Sequence, residues 1–182
     1  MRWLLIAVLA WPALVDAGAI RDEYDAEIRE AAERYLPGLD WRLYKAQLYQ
    51  ESRLDPEAES HVGAKGIAQF MPATWNEIAA EIGYGSASPR AVEPAIQAGA
   101  YYMADFREEW SAPRPSSDRY SLSAASYNAG LANVVEAQQI CGGPNRYRRI
   151  IKCLPEVTGE HAKETRSYVS RIWRWFLQLM AN

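Results

Sequence analysis

The sequence predicts a mainly α-helical single domain, on three observations. Apolar residues recur at helical spacing in successive stretches along nearly the whole chain. Proline and glycine fall at or near the ends of those stretches, where helices start and stop. No β-rich segment of any length and no internal repeat interrupts the series. At 182 residues the chain is long enough for one domain of ordinary size with a sizeable core.

The first stretch, "MRWLLIAVLAWPALVDAGAI", reads as a leader. Arg2 supplies a positive start, Trp3 to Val15 an apolar run, and Val15-Asp16-Ala17 a small-residue cleavage signal. The run is well short of the roughly 20 residues that span a bilayer, and Pro12 interrupts it. The expectation is a signal peptide over residues 1–17, cleaved to leave a domain over 18–182 with no membrane span. A retained N-terminal anchor and a plain buried helix are the alternatives. No cysteine stands near the cleavage site to support lipoprotein processing.

Next, "IRDEYDAEIREAAERYL" carries Ile20, Tyr24, Ile28, Ala31 and Tyr35 near helical spacing and is stopped by Pro37-Gly38. In "LDWRLYKAQLYQES" Asp40 is placed to cap a helix bearing Trp41, Tyr44 and Leu48. A loop with Pro56, Gly63 and Gly66 follows. Pro72 then opens a helix with Trp75, Ile78, Ala79 and Ile82 on one side and Gly83 just past its end. A further helix starts near Pro94 and carries Ile96, Ala100, Met103 and Trp110. "SAPRPSSD", Ser111 to Asp118, is the one Pro/Ser-rich stretch; too little chain follows it for a second core, so it reads as an internal loop. A helix ending at "YNAG", a short one from Ala132 to Ile140, and a long last one with Val169, Ile172, Phe176 and Leu179 complete the series.

Composition excludes several classes of function. A net charge of −3 is too small to argue for polyanion binding, and no basic run with interleaved aromatics suggests nucleic acid as a partner. His61 and His161 stand about a hundred residues apart and no Cys/His cluster has ligand spacing, so no metal and no cofactor is expected. Cys141 and Cys153 are the only cysteines; in an exported chain they most economically form one disulfide, with two buried thiols as the alternative. The loop that they close, "CGGPNRYRRIIKC", is polar and basic and reads as an excursion without a core of its own. Aromatic residues make up 12% of the chain, which suits either a sugar-binding groove or a well-filled helical core.

One residue sits oddly. Glu51 follows Leu48 by three and Tyr44 by seven, on the edge of the apolar stripe. It is either a rim carboxylate reaching water or a half-desolvated general acid. Gln69, in "GIAQF", has apolar neighbours and needs partners wherever it lies: a substrate, or the backbone. Asn128 and Gly130 in "YNAG" would by themselves read as a helix end.

Taken together and in order, "ESRLDPEAES", "GAKGIAQFMPATW", "AASYNAG" and "ETRSYVSRI" resemble four sequence blocks of the catalytic domain of soluble lytic transglycosylases. That domain is similar in fold to goose-type lysozyme, so the resemblance implies a lysozyme-like domain with a substrate groove. The blocks span roughly Ala46 to Ile172. It implies an enzyme, a lyase, acting on peptidoglycan glycan strands at the β-1,4 bond between N-acetylmuramic acid and N-acetylglucosamine. Glu51 matches the single catalytic glutamate, acid and then base, and Ser60 the serine that orients it. Gln69, Tyr127, Asn128 and Tyr168 match substrate-binding residues. Ala68 and Ser126 depart from the common methionine and alanine, which implies altered subsite fit. A hydrolase of the same fold, with Asp55 as second carboxylate, and a non-catalytic peptidoglycan binder are the rival readings. Asp55 reads better as a turn residue before Pro56.

Overall fold

A computed structural model describes residues 20–181. Among them are nine helices: α1 (Asp25–Tyr35), α2 (Trp41–Ser52), α3 (Pro72–Glu81), α4 (Val92–Glu109), α5 (Ser116–Ala129), α6 (Leu131–Ile140), α7 (Tyr147–Ile150), α8 (Leu154–Thr158) and α9 (His161–Ala181). Two isolated β-bridges, Glu59 with Lys65 and Lys65 with Phe70, are the extended pairings among the described residues. The mainly α expectation is borne out. The leader expected over residues 1–17 lies outside the described residues.

The described chain forms two compact units. Residues 20–102 with 172–181 make one, and residues 103–171 the other. The stretch from Ser111 to Asp118 lies within the second, where it leads into α5.

In the first unit, α1 buries Ile28, Ala31 and Ala32 and packs against α2. Asp25, in the first turn of α1, pairs with the buried Lys45 ammonium of α2. Residues 95–100 of α4 are all buried, a helix segment without a solvent face. Small side chains make that approach possible. A Cβ on Gly99 would lie 2.5 Å from the Tyr44 hydroxyl, which donates to the Ile96 carbonyl at 2.6 Å.

In the second unit, α5 is buried from Tyr120 through Asn128 and packs on α6 and α7. Two of its buried hydroxyls are bonded locally: Ser121 Oγ donates to Ser117 O at 2.8 Å and Ser123 Oγ to Arg119 O at 3.0 Å. Cys141 and Cys153 form a disulfide with their Cα atoms 5.8 Å apart. The segment between them corrects the expectation of a coreless excursion. It folds a turn of helix, α7, and buries Ile150 and Ile151. Burial also raises the Tyr147 hydroxyl well above its ordinary pKa.

Candidate active site

Glu51 occupies the last turn of α2, half-buried. The helix is fixed at both ends. At its start Asp40 accepts the Arg42 amide at 3.0 Å and holds the Arg42 guanidinium at 3.0 and 2.7 Å. Those bonds keep the Asp40 carboxyl below the usual carboxylate range. At its end Arg53 and Leu54 turn left-handed, with φ of 62° and 61°. Two consecutive non-glycine residues in that region bring the chain sharply off the helix.

The loop that follows is fastened back onto the helix. Ser52 Oγ donates to the Ile67 carbonyl at 2.8 Å, two residues before Gln69. Gly66 has φ of 77°, and a Cβ there would lie 1.8 Å from the Pro89 carbonyl oxygen, so only glycine fits. Gln69 is itself left-handed, with φ of 51°. Its buried amide donates to Gly66 O at 2.9 Å and Ala58 O at 3.2 Å, which ties the loop's two limbs together. Ser60 is buried, and its hydroxyl oxygen accepts the Ala64 amide at 2.9 Å inside the tight turn 60–64. One hydroxyl proton remains for Ser60 to donate. Ala68 is fully buried.

Glu51, Ser60 and Gln69 therefore belong to one hydrogen-bonded segment, α2 and its following loop. Asp55 is exposed, and its Oδ1 accepts the Glu57 amide at 2.9 Å, the turn role that its position before Pro56 suggested.

Several residues that clamp this helix end were not singled out from sequence. The Arg53 guanidinium lies over the rings of Tyr49 and Trp175, 4.6 and 4.9 Å from their centroids. Trp175 Nε1 donates to Gln50 Oε1 at 3.2 Å, and its ring meets Tyr49 edge-on at 5.1 Å. Nothing local in the sequence announces a partner for Gln50 in α9.

The other three candidates belong to the second unit. Tyr127 and Asn128 lie in the last turn of α5, both buried, and Tyr168 lies in α9 with no solvent exposure. Tyr127 packs edge-on against Phe106 at 6.4 Å. Asn128 is inside the helix and not at its cap; Gly130, with φ of 85°, closes α5 and opens α6. Asn128 Nδ2 is buried and has no hydrogen-bond partner among the described residues. A shielded amide donor without an acceptor is an uncommon feature of a folded interior. Ser126 is turned inward, where its Oγ accepts the buried Trp110 indole N–H at 2.9 Å. Asn133 Nδ2 bridges the α5–α6 joint by donating to Ala129 O at 2.7 Å, a further residue not anticipated. Among the described residues no group of His, Cys, Asp and Glu could hold a metal ion.

Residues 27–149 match the family described as Transglycosylase SLT domain. A protein named membrane-bound lytic murein transglycosylase F from Desulfosudis oleivorans is 36% identical over 132 residues, covering 70% of this chain and 27% of its own. Its namesake from Erwinia tasmaniensis is 29% identical over 175 residues, covering 87% of this chain and 34% of its own. The chain thus spans about a third or less of the length of these relatives. Among solved structures, an inactive mutant of lytic transglycosylase Slt from Pseudomonas aeruginosa superposes with a TM-score of 0.67 at 25% identity, over 86% of this chain and 24% of that one. The 70-kDa soluble lytic transglycosylase from Escherichia coli gives 0.68 at 22% identity, over the same shares, a likeness of fold. The lysozyme-like α fold implied by the resemblance is the fold of these chains.

Proposed function

The chain belongs to the Transglycosylase SLT domain family, and from that premise we propose that it is a peptidoglycan lytic transglycosylase. In this reading it cleaves the β-1,4 bond between N-acetylmuramic acid and N-acetylglucosamine and leaves a 1,6-anhydro sugar. Glu51, protonated, gives its proton to the glycosidic oxygen as the bond to C1 breaks. As carboxylate it then takes the proton from the muramyl 6-hydroxyl, whose oxygen bonds to C1 and closes the ring. The attacking group is part of the substrate, so proximity replaces a positioned water. One carboxyl suffices, in contrast to the paired carboxylates of most glycosidases.

The observation that carries the proposal is the framework joining Glu51 to its loop. A half-buried carboxyl held at a fastened helix end is placed to give and then take one proton beside the loop. Ser60 is assigned to orient it through its remaining hydroxyl proton. Gln69, Tyr127, Asn128 and Tyr168 are assigned to the glycan. For Asn128 support comes from its unpartnered donor, which a substrate acetamide oxygen would satisfy. The inward-facing Ser126 and buried Ala68 argue that their departures from the common residues act through packing.

The disulfide favours an exported, periplasmic or secreted protein, consistent with a leader over residues 1–17. Among the described residues no helix is long and apolar enough to cross a membrane.

The test is mass spectrometry of the products released from purified peptidoglycan. Anhydro-muropeptides, lighter by one water than their reducing-end counterparts, are expected. Reducing-end muropeptides would assign the chain to hydrolysis, and no release at all would assign it to binding.

A further inference from the structure

Three arginines of the second unit gather where the chain leaves α4 and enters α5. Arg114 lies over the Trp110 ring, 5.2 Å from its centroid, and its Nε donates to the Ala112 carbonyl at 3.1 Å. Arg119, in the first turns of α5, reaches back to donate from Nη2 to the Ser111 carbonyl at 3.1 Å. Arg107, in the last turn of α4, makes no hydrogen bond or ion pair among the described residues. One nitrogen of each, Arg107 Nε, Arg114 Nη1 and Arg119 Nε, is shut from water without an acceptor.

Among the described residues no carboxylate lies within salt-bridge distance of these three side chains. Asp118, which draws on Arg114 electrostatically, is itself paired with Arg146 at 3.1 Å. Burial first, and then the charge of Arg119, push the proton affinities of both Arg107 and Arg114 below their ordinary values. Like charges with part of their hydration removed repel more strongly than they would in open water. Such a cluster destabilises the fold unless an anion joins it. All three side chains stay partly exposed, and Ser111, Ala112, Pro113 and Pro115 beside them are exposed, so the cluster is reached from solvent.

We infer that Arg107, Arg114 and Arg119 form a binding site for a doubly charged oxyanion of the phosphate class. A single carboxylate is matched by one guanidinium fork. A tetrahedral dianion offers acceptor oxygens in several directions and enough charge to be shared by three guanidinium groups from different elements, each reached through its remaining exposed nitrogens. The phosphate is either free in solution or the headgroup of a lipid.

The experiment follows thermal stability of the whole protein as inorganic phosphate replaces chloride at constant ionic strength. A saturable rise in Tm is expected. Arg107→Gln removes charge but no hydrogen bond, so it should melt above the parent in chloride and need about tenfold or more phosphate for its response. Arg119→Gln, a second variant, should lose the phosphate response likewise, whereas Arg146→Gln should keep it. Co-sedimentation with phosphatidylglycerol vesicles, but not phosphatidylcholine vesicles, and its competition by free phosphate would identify a lipid headgroup. Glycan cleavage should be unchanged in Arg107→Gln, which separates this site from the proposed reaction. Absence of both the phosphate-dependent rise and the phosphate-competed vesicle binding would overturn the inference. An Arg107→Gln variant that melts below the parent in chloride and keeps the full phosphate response would do so too.

Discussion

Ser52 Oγ donates to the Ile67 carbonyl at 2.8 Å, so the residue next to Glu51 holds the loop that presents Gln69. Removing that hydroxyl with Ser52→Ala should cost about 1 kcal/mol of stability. Turnover should fall on the order of tenfold, because the loop drifts relative to the acid. Ser52→Thr, which keeps a hydroxyl, should recover most of both. Tm and glycan-release rates on the three proteins check this; equal turnover in Ser52→Ala would show that the fastening is not needed for the reaction.

Glu51→Gln should abolish glycan cleavage and leave the fold and glycan binding nearly intact. The amide is almost isosteric but can neither deliver nor accept the proton, and general acid–base participation is worth about 10²- to 10⁴-fold. Circular dichroism and product release on the same preparation decide the matter. More than a tenth of parental turnover would sink the assignment.

Asp40 gives a pH-dependent test of stability. Its folded-state pKa is depressed, chiefly by the Arg42 hydrogen bond. Its contribution is therefore complete above the unfolded carboxyl value of about 3.9 and is lost as pH falls through the lower folded value. Asp40→Ala should lose about 1 kcal/mol at neutral pH as a helix cap. The melting curves of parent and variant should draw together on acidification below about pH 4. A constant gap down to about pH 2 would contradict the linkage.

Replacing both cysteines, Cys141→Ser with Cys153→Ser, should lower stability by about 3 kcal/mol through the freed unfolded chain. Unfolding should stay cooperative, since Ile150 and Ile151 are buried inside the closed segment and anchor it independently. Calorimetry measures both points. Two free thiols in the denatured, exported protein would remove the disulfide from the account altogether.

Features set by neighbouring residues were legible in the sequence. Asp40 before an apolar stripe, Pro72 at a helix start and Gly83 after its end declared themselves, because caps and stops act over a turn or less. Glu51 declared itself as an anomaly of periodicity. Gly66 was visible as a loop glycine, but the reason for it, the Pro89 carbonyl, lies 23 positions away. The bonds of the Gln69 amide nitrogen to Ala58 and Gly66 were not legible, because the fold of the loop places those carbonyls. Ile150 and Ile151 were hidden by the basic residues around them, since burial of a short helical turn depends on what it lands against. The arginine cluster was invisible for a related reason: each member alone reads as an ordinary surface charge.

The bond between Trp110 Nε1 and Ser126 Oγ makes two substitutions depend on their order. Changing Ser126 to the alanine common at that position in the family strands a buried indole N–H, at a cost of about 1 to 3 kcal/mol. If Trp110 becomes phenylalanine first, no donor is left behind, and Ser126→Ala should then be close to neutral. A double-mutant cycle would read this as a coupling energy between the two sites. Trp110→Phe alone empties part of a buried site and leaves the Ser126 hydroxyl without its donor, so neither first step is free and the cost of each change depends on the residue at the other position.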